Sequence, residues 1–283
     1  TSNTFIGHFS GQSNTTGDYN VFIGKDSGTS CNGNNNTYVG TSSGQDAIST
    51  AVNNSFFGTL SGIESNGSNN TLLGYYSGGE LIGSNNTCIG YLSGYGSIGS
   101  RNVFIGYEAG NGISNSNDKL YIDNSGSLTP LIWGDFASDL LKFNGRVGIG
   151  MGTTAFPTHA AGVSLANYDL FVDGGILAKE VRVATLWADY VFEKDYKLLS
   201  LKEVENFINA NGHLPNVPTA KQVEEEGISI GEMAKIQQEK IEELTLYVIE
   251  QDKRLETQTE LLQKQLEKID RLEKMVEALA SQK

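Results

Sequence analysis

A nine-residue phrase recurs seven times in the first 110 residues of the chain. It reads Asn-x-Φ-Φ-Gly-x-x-(Ser/Ala)-Gly, where Φ is an apolar or aromatic residue. Its copies are Asn3–Gly11, Asn20–Gly28, Asn36–Gly44, Asn54–Gly62, Asn70–Gly78, Asn86–Gly94 and Asn102–Gly110. The leading asparagines step by 17, 16, 18, 16, 16 and 16 residues. A fixed period of this size makes each copy one structural unit stacked on the next.

Each unit offers only two adjacent apolar residues, such as Phe5-Ile6, Phe22-Ile23, Phe56-Phe57 and Phe104-Ile105. That is too short for a helical face and suits a short strand bounded by turns. Adjacent strand residues point to opposite faces. One of each pair therefore fills the core of a coil, and the other faces something else that must also be dry. Neighbouring chains explain that second face best. The two glycines of each unit provide turns with positive φ or a close backbone approach. The leading Asn bonds readily to nearby backbone, so a ladder of stacked Asn is expected. At ~4.8 Å per rung, seven rungs span roughly 30 Å. Between the units lie Gly-, Ser- and Asn-rich stretches such as Thr29–Asn36 and Ile63–Asn70. A flexible linker would have this composition, but here the apolar pairs stay in phase with the glycines. The Asn-Asn-Thr and Asn-Asn-Ser triplets at Asn35–Thr37 and Asn53–Ser55 fit a glycosylation pattern, yet they arise from the repeat itself.

Asn-Thr-Phe-Ile-Gly and Asn-Val-Phe-Ile-Gly resemble the head repeats of trimeric autotransporter adhesins. The resemblance covers about residues 1–112 and implies a left-handed parallel β-roll around a three-fold axis. No membrane β-barrel follows, so self-translocation is not expected of this chain. It starts at Thr1 with no signal peptide, and the first repeat begins at once. A processed protein or a fragment of a longer one is expected.

Only 38% of the 283 residues are hydrophobic and 34 are Gly, which argues against one large globular core. The net charge of −13 argues against nucleic-acid binding. Residues 1–117 hold only eight charged side chains; most of the others lie beyond residue 165. No apolar run approaches the ~18 residues that membrane insertion needs. Cys88 occupies the same slot as Phe5 and Phe104 and is expected to be a small core residue; Cys31 is expected in a loop. A disulfide framework is not expected.

Residues 113–165 read as a β-collar with three strands, Lys119–Asp123, Leu131–Gly134 and Leu140–Gly150. Asn124-Ser125-Gly126 is a turn signal, and Asn144-Gly145 is a hairpin signal. Gly148–Gly152 is glycine-rich, but no helix start follows it, so a dinucleotide loop is not expected. Residues 153–167 read as a loop. Residues 166–198 form a second small β segment, with a strand pair, Leu170–Asp173 and Ile176–Val183, joined at Gly174-Gly175. Tyr168–Val183 resembles the β-collars that join shafts in phage-like fibres.

Two short capped helices are expected in 199–228. Ser200–Glu203 is a capping box with a Leu199/Val204 staple, and Gly212 is its C-terminal stop. Thr219–Gln222 opens the second helix, which Gly227 closes. Each proline of the bridge His213–Pro218 disfavours helix before it. Ser229–Glu232 is a third box and opens a coiled coil over 229–283. Apolar spacing alternates three and four through Ile241, Leu244, Val248, Leu255, Leu262, Ile269, Leu272, Val276 and Leu279. A seven-residue repeat held this long makes a left-handed coiled coil. The helix extends roughly 80 Å at 1.5 Å per residue. Gln251, Gln258 and Gln265 fill three successive d layers. Such residues fix register and oligomer state, bonding to each other, water or an ion, or else line a loose core.

The segment Trp187–Ile208, followed by Gly212–Pro218, resembles the C-terminal region of large surface and tail-fibre-like proteins of Bacteroidota. The resemblance covers about residues 166–255 and implies an extracellular, repeat-bearing fibre. The Ser-Asp-x-Arg-Leu-Lys type of motif found in self-cleaving fibre chaperones is missing, so autoproteolysis is not expected.

The three histidines, His8, His159 and His213, fall in different regions, and no His/Cys/Asp cluster has metal-ligand spacing. No Gly-x-Ser-x-Gly elbow or phosphate loop appears. Asp195, Lys197 and Glu203 read as a solvated face. No cofactor and no enzymatic activity are expected. The residue after the first Gly runs His8, Lys25, Thr41, Thr59, Tyr75, Tyr91, Tyr107, with Tyr76 and Leu92 beside the last three. A stripe of Tyr75, Tyr91 and Tyr107 either offers flat faces and hydroxyls to sugars or proteins, or packs rung to rung. The expected architecture is mostly β with an α-helical C-terminus: a homotrimeric parallel β-roll or β-solenoid, a β-collar, short helices and a trimeric coiled coil. The expected function is an extracellular, cell-surface or phage-like fibre that binds a glycan or protein receptor. A purely structural shaft or assembly module is one alternative, and a glycan depolymerase, with carboxylates gathered by trimerisation, is another.

Overall fold

A computed structural model describes residues 2–160, 163–184 and 187–280. Two compact units are distinguished: Thr1–Gly152 with Asp169–Asp173, and Thr153–Tyr168 with Gly174–Lys283.

The first unit is a β-solenoid. Each repeat places a three-residue strand at the same phase: β1 (Thr4–Ile6), β2 (Val21–Ile23), β3 (Thr37–Val39), β4 (Ser55–Phe57), β5 (Thr71–Leu73), β6 (Thr87–Ile89) and β7 (Val103–Ile105). Successive strands pair in parallel and in register, so Phe22 meets Tyr38, Tyr38 meets Phe56, and Phe56 meets Leu72. The ladder runs past Gly112. Strand β8 (Lys119–Ile122) pairs in parallel with β7, which places Tyr121 in the core column.

Side-chain alternation then sorts each strand. The middle residues Phe22, Tyr38, Phe56, Leu72, Cys88 and Phe104 are fully buried inside the coil. Their rings stack where they are aromatic: Phe22 on Tyr38 at 4.9 Å and Tyr38 on Phe56 at 4.6 Å. The residues on either side face outward, leaving Ile23, Phe57 and Leu73 exposed.

Two polar columns tie the coils together. Each leading Asn accepts the backbone N–H of the residue that opens the next coil. Its amide nitrogen donates to a carbonyl of that coil. The pattern repeats at Asn20, Asn36, Asn54, Asn70, Asn86 and Asn102. These side chains are buried, and their bonds run to backbone rather than amide to amide. The serine before the second Gly donates to the core residue's carbonyl one coil on, as in Ser93 to Phe104 at 2.9 Å. Backbones pass close enough that a Cβ on Gly74 (φ 138°) would lie 2.4 Å from the Gly90 carbonyl oxygen. Only glycine fits there.

Strands β9 (Ile132–Asp135) and β10 (Leu140–Phe143) follow β8 as antiparallel neighbours. Trp133 and Ile113 pack on the core cluster, and Lys119 pairs with Asp135 at 3.0 Å across β8 and β9. The hairpin expected at Asn144-Gly145 is not formed. Asn144 is tied back to the start of β9, its N–H to Leu131 and its side chain to Pro130. The long strand expected at Leu140–Gly150 therefore breaks in two. Its second part, β11 (Val147–Ile149), takes β14 (Leu170–Val172) as a parallel partner. The strand pair expected across Gly174-Gly175 is absent; β14 pairs with β11 instead. Residues 176–183 form no strand.

In the second unit, β12 (His159–Ala160) and β13 (Val163–Ser164) pair within the stretch expected to be loop. Helix α1 (Leu201–Asn211) opens with a complete capping box at Ser200 and Glu203 and ends at Gly212 in the left-handed region. Helix α2 (Ala220–Glu226) has the same box at Thr219 and Gln222. Helix α3 runs from Ile230 to Ala280, with Ser229 accepting the Glu232 N–H. A short 3-10 helix, Asp189–Phe192, packs on α3 through buried Ala188 and Val191. Among the described residues, no helix is long and apolar enough to cross a membrane.

Candidate functional site

The three tyrosines of the proposed stripe are brought together. Tyr75 and Tyr91 have ring centroids 5.4 Å apart and planes within 10°. Tyr91 and Tyr107 lie 5.2 Å apart within 7°. Rings lying side by side in one plane cannot approach so closely, so these rings overlap face to face. The flat faces expected to meet a ligand therefore meet each other. The three residues remain 48%, 43% and 45% exposed.

A second aromatic pair sits beside them. Tyr76 stacks on Tyr95 at 4.9 Å and leans on Tyr75 at 6.1 Å. Gly79 makes room for this pair, because a Cβ there would lie 3.2 Å from the Tyr76 ring. Tyr95 donates to Glu80 at 2.7 Å, and that bond pushes its hydroxyl pKa up to about 12. Tyr107 is raised as well, first by its hydrogen bond to Glu108. Sequence reasoning missed Tyr95. Its signal was a further column at the same 16-residue step, Ile63, Gly79 and Tyr95.

Gln251, Gln258 and Gln265 lie on the exposed surface of α3 together with Ile241, Leu244, Val248, Leu255 and Leu262. The side chain of Leu279 lies outside the described residues. Over the first turns of α3, up to Tyr247, other residues are covered instead. Tyr190 donates to Glu239 and Tyr196 to Glu243. Lys240 bridges both carboxylates at 2.8 Å each, and Asn216 donates to Glu239 at 3.2 Å. Tyr247 donates to the Leu199 carbonyl at 2.6 Å. Burial works against ionisation of Glu239, but the bonds from Lys240, Tyr190 and Asn216 prevail and hold it below the usual range. The chain's own packing thus occupies the face that leaves the apolar seam open. These contacts join residues 47–49 apart in sequence, which short-range patterns do not reveal.

Both cysteines are free and buried. Cys88 is wholly buried and its thiol pKa is pushed up to about 12 by desolvation. Cys31, expected in a loop, is also fully buried, accepting a bond from Asn36 at 3.4 Å. Desolvation raises its pKa too. Among the described residues no three His, Cys, Asp or Glu side chains gather to hold a metal. No family model matches the chain, and neither a curated protein nor a solved structure matches it.

Proposed function

We propose that three copies of this chain assemble into an extracellular, non-catalytic fibre that attaches to a target surface, as an adhesin or a tail-fibre-like receptor-binding protein does. The observation that carries this reading is a pair of apolar stripes left open by each chain. One is the outward row of the solenoid strands, with Ile23, Phe57 and Leu73 exposed. The other is the α3 seam of Ile241, Leu244, Val248, Leu255 and Leu262, also exposed. Contiguous exposed apolar surface marks an interaction site. Further copies of the chain cover each stripe within its own unit, the heptads as a coiled coil and the strand row as a shaft.

The attachment surface is the tyrosine edge on the last coils, and its partner is a glycan or protein receptor. Light scattering tests the assembly: a mass three times the chain supports it, and a monomer overturns it. Saturable binding of the labelled fibre to intact cells tests attachment. A second reading, a structural shaft or assembly module, is favoured by the face-to-face tyrosine stack, which joins neighbouring rungs. It predicts no attachment to cells.

A further inference from the structure

We infer that α3 meets other copies of itself parallel and in register, with Leu261 of one helix against Leu266 of the next and Lys268 against Glu273. The inference rests on the assembly proposed above and supplies the direction, register and contacts of its helices. With Ile241 at position a of the heptad, Leu261 and Lys268 fall at g, and Leu266 and Glu273 at e. These positions flank the a and d seam and set partner choice and orientation. In one chain all four side chains are exposed, the two leucines at 57% and 53%.

Each of the two charges is badly placed within its own helix. Lys268 has Lys264 four residues before it and Arg271 three after. Glu273 has Asp270 three before it and Glu277 four after. Like charges at these spacings destabilise a helix. The other positions three and four away, Gln265 and Leu272 for Lys268, Ile269 and Val276 for Glu273, carry no charge. A second copy supplies what is lacking. Parallel helices in register place each g position beside the e position of the partner's next heptad. Leu261 then covers Leu266, which takes both out of water, and Lys268 gains the carboxylate of Glu273. Gln251, Gln258 and Gln265 each meet their own kind, so their amides bond to one another.

Other arrangements lose these matches. With the seam fully overlapped but antiparallel, a positions face d positions. Gln251, Gln258 and Gln265 then face Ile269, Leu262 and Leu255, and Arg254 faces Lys268. Each glutamine amide is set against aliphatic carbon without a partner, and two cations are set side by side. A parallel slip of one heptad puts Leu261 against Glu273 and Arg254 against Leu266. Of the three, the parallel in-register arrangement alone pairs leucine with leucine, lysine with glutamate and glutamine with glutamine.

The test uses the full chain. Leu244→Cys and Leu272→Cys, both at d and far apart on the seam, are prepared singly and treated with a short bismaleimide cross-linker. Cys31 and Cys88 are buried, and the unaltered chain reports any reaction of theirs. Each variant is expected to cross-link to itself. A cross-link that forms only when Leu244→Cys is co-expressed with Val276→Cys marks antiparallel helices and overturns the inference, as does an assembled sample with no cross-link. The charges are tested by Lys268→Glu and Glu273→Lys, alone and together, with dissociation on dilution followed by ultracentrifugation. Positions 268 and 273 do not face each other on one helix, so within a chain the two changes add. Across chains the second restores the attraction that the first removed. The double variant is expected to associate at least about 5-fold more tightly than the two single effects combined predict. Additive effects overturn the assigned contacts. A chain that stays monomeric in light scattering removes the assembly reading and this inference with it; assembled copies with the wrong cross-links sink this inference alone.

Discussion

The side-chain oxygen of Asn70 accepts the backbone N–H of Asn86 at 2.9 Å, while its amide nitrogen donates to the Gly83 carbonyl at 3.0 Å. One buried amide thus satisfies two backbone groups of the next coil. Asn70→Asp keeps the oxygen but sets a second oxygen against Gly83 and buries a charge. It is expected to cost about 2–4 kcal/mol, read as a lower denaturation midpoint. Asn85→Asp, one residue before Asn86 and exposed, is expected to change stability by less than about 0.5 kcal/mol.

Glycines in this solenoid serve two different needs, and substitution separates them. A Cβ on Gly74 meets the Gly90 oxygen at 2.4 Å, so Gly74→Ala forces neighbouring coils apart. A loss of about 3 kcal/mol or more is expected by thermal unfolding followed by circular dichroism. Gly96 has φ 60° and open space around it. Gly96→Asn, a residue that tolerates the left-handed region, is expected to cost less than about 1 kcal/mol.

The glutamine layers bear on assembly rather than on the single chain. Replacing Gln251, Gln258 and Gln265 together by Leu is expected to raise the thermal midpoint of the proposed assembly, because in a coiled coil these exposed side chains would become buried polar groups, which cost stability. It is also expected to broaden the mass distribution in light scattering, because a uniform apolar seam accepts other registers and copy numbers. A single, more stable trimer would show that these residues specify nothing.

Acid should loosen the clamp between the 3-10 helix and α3. Glu239 is held below its ordinary value of 4.5 by Lys240, Tyr190 and Asn216 despite its burial. A carboxylate with a lowered folded pKa adds stability that is complete above its unfolded pKa. That stability is lost as pH falls through the folded value. With Trp133→Phe as background, emission of Trp187, beside buried Ala188, is expected to shift below about pH 4.5. Adding Glu239→Gln is expected to weaken that acid transition; an identical profile would exclude Glu239 as its source.

Much of the fold was legible in the chain. The Asn-x-Φ-Φ-Gly period gave stacked coils, and parity within each strand put one of each apolar pair inside, Cys88 among them; that it is the first of each pair, as at Phe22 and Phe56, came from the structure. Ser200 and Glu203, and Thr219 and Gln222, formed their boxes, and Gly212 ended its helix as the residue types required. The tyrosine column was visible from its step alone, but the facing of its rings was not. Stacking against exposure is a matter of side-chain packing, which a column of letters does not carry.

What the sequence determined by itself is whatever repeats or closes within a few residues: the coil period, the inward and outward rows, the helix caps and the heptad seam. Each follows from backbone dihedrals and side-chain direction over a short window. Only the tertiary structure decided which distant segments meet. Strand β11 could have turned back at Asn144-Gly145, yet it pairs with Leu170–Val172. Tyr190 and Tyr196 find Glu239 and Glu243 across the chain. Cys31 lies in the loop expected for it, and that loop is packed into the core. A strand edge or a carboxylate accepts many partners of similar local chemistry, and the choice among them rests on the packing of everything else.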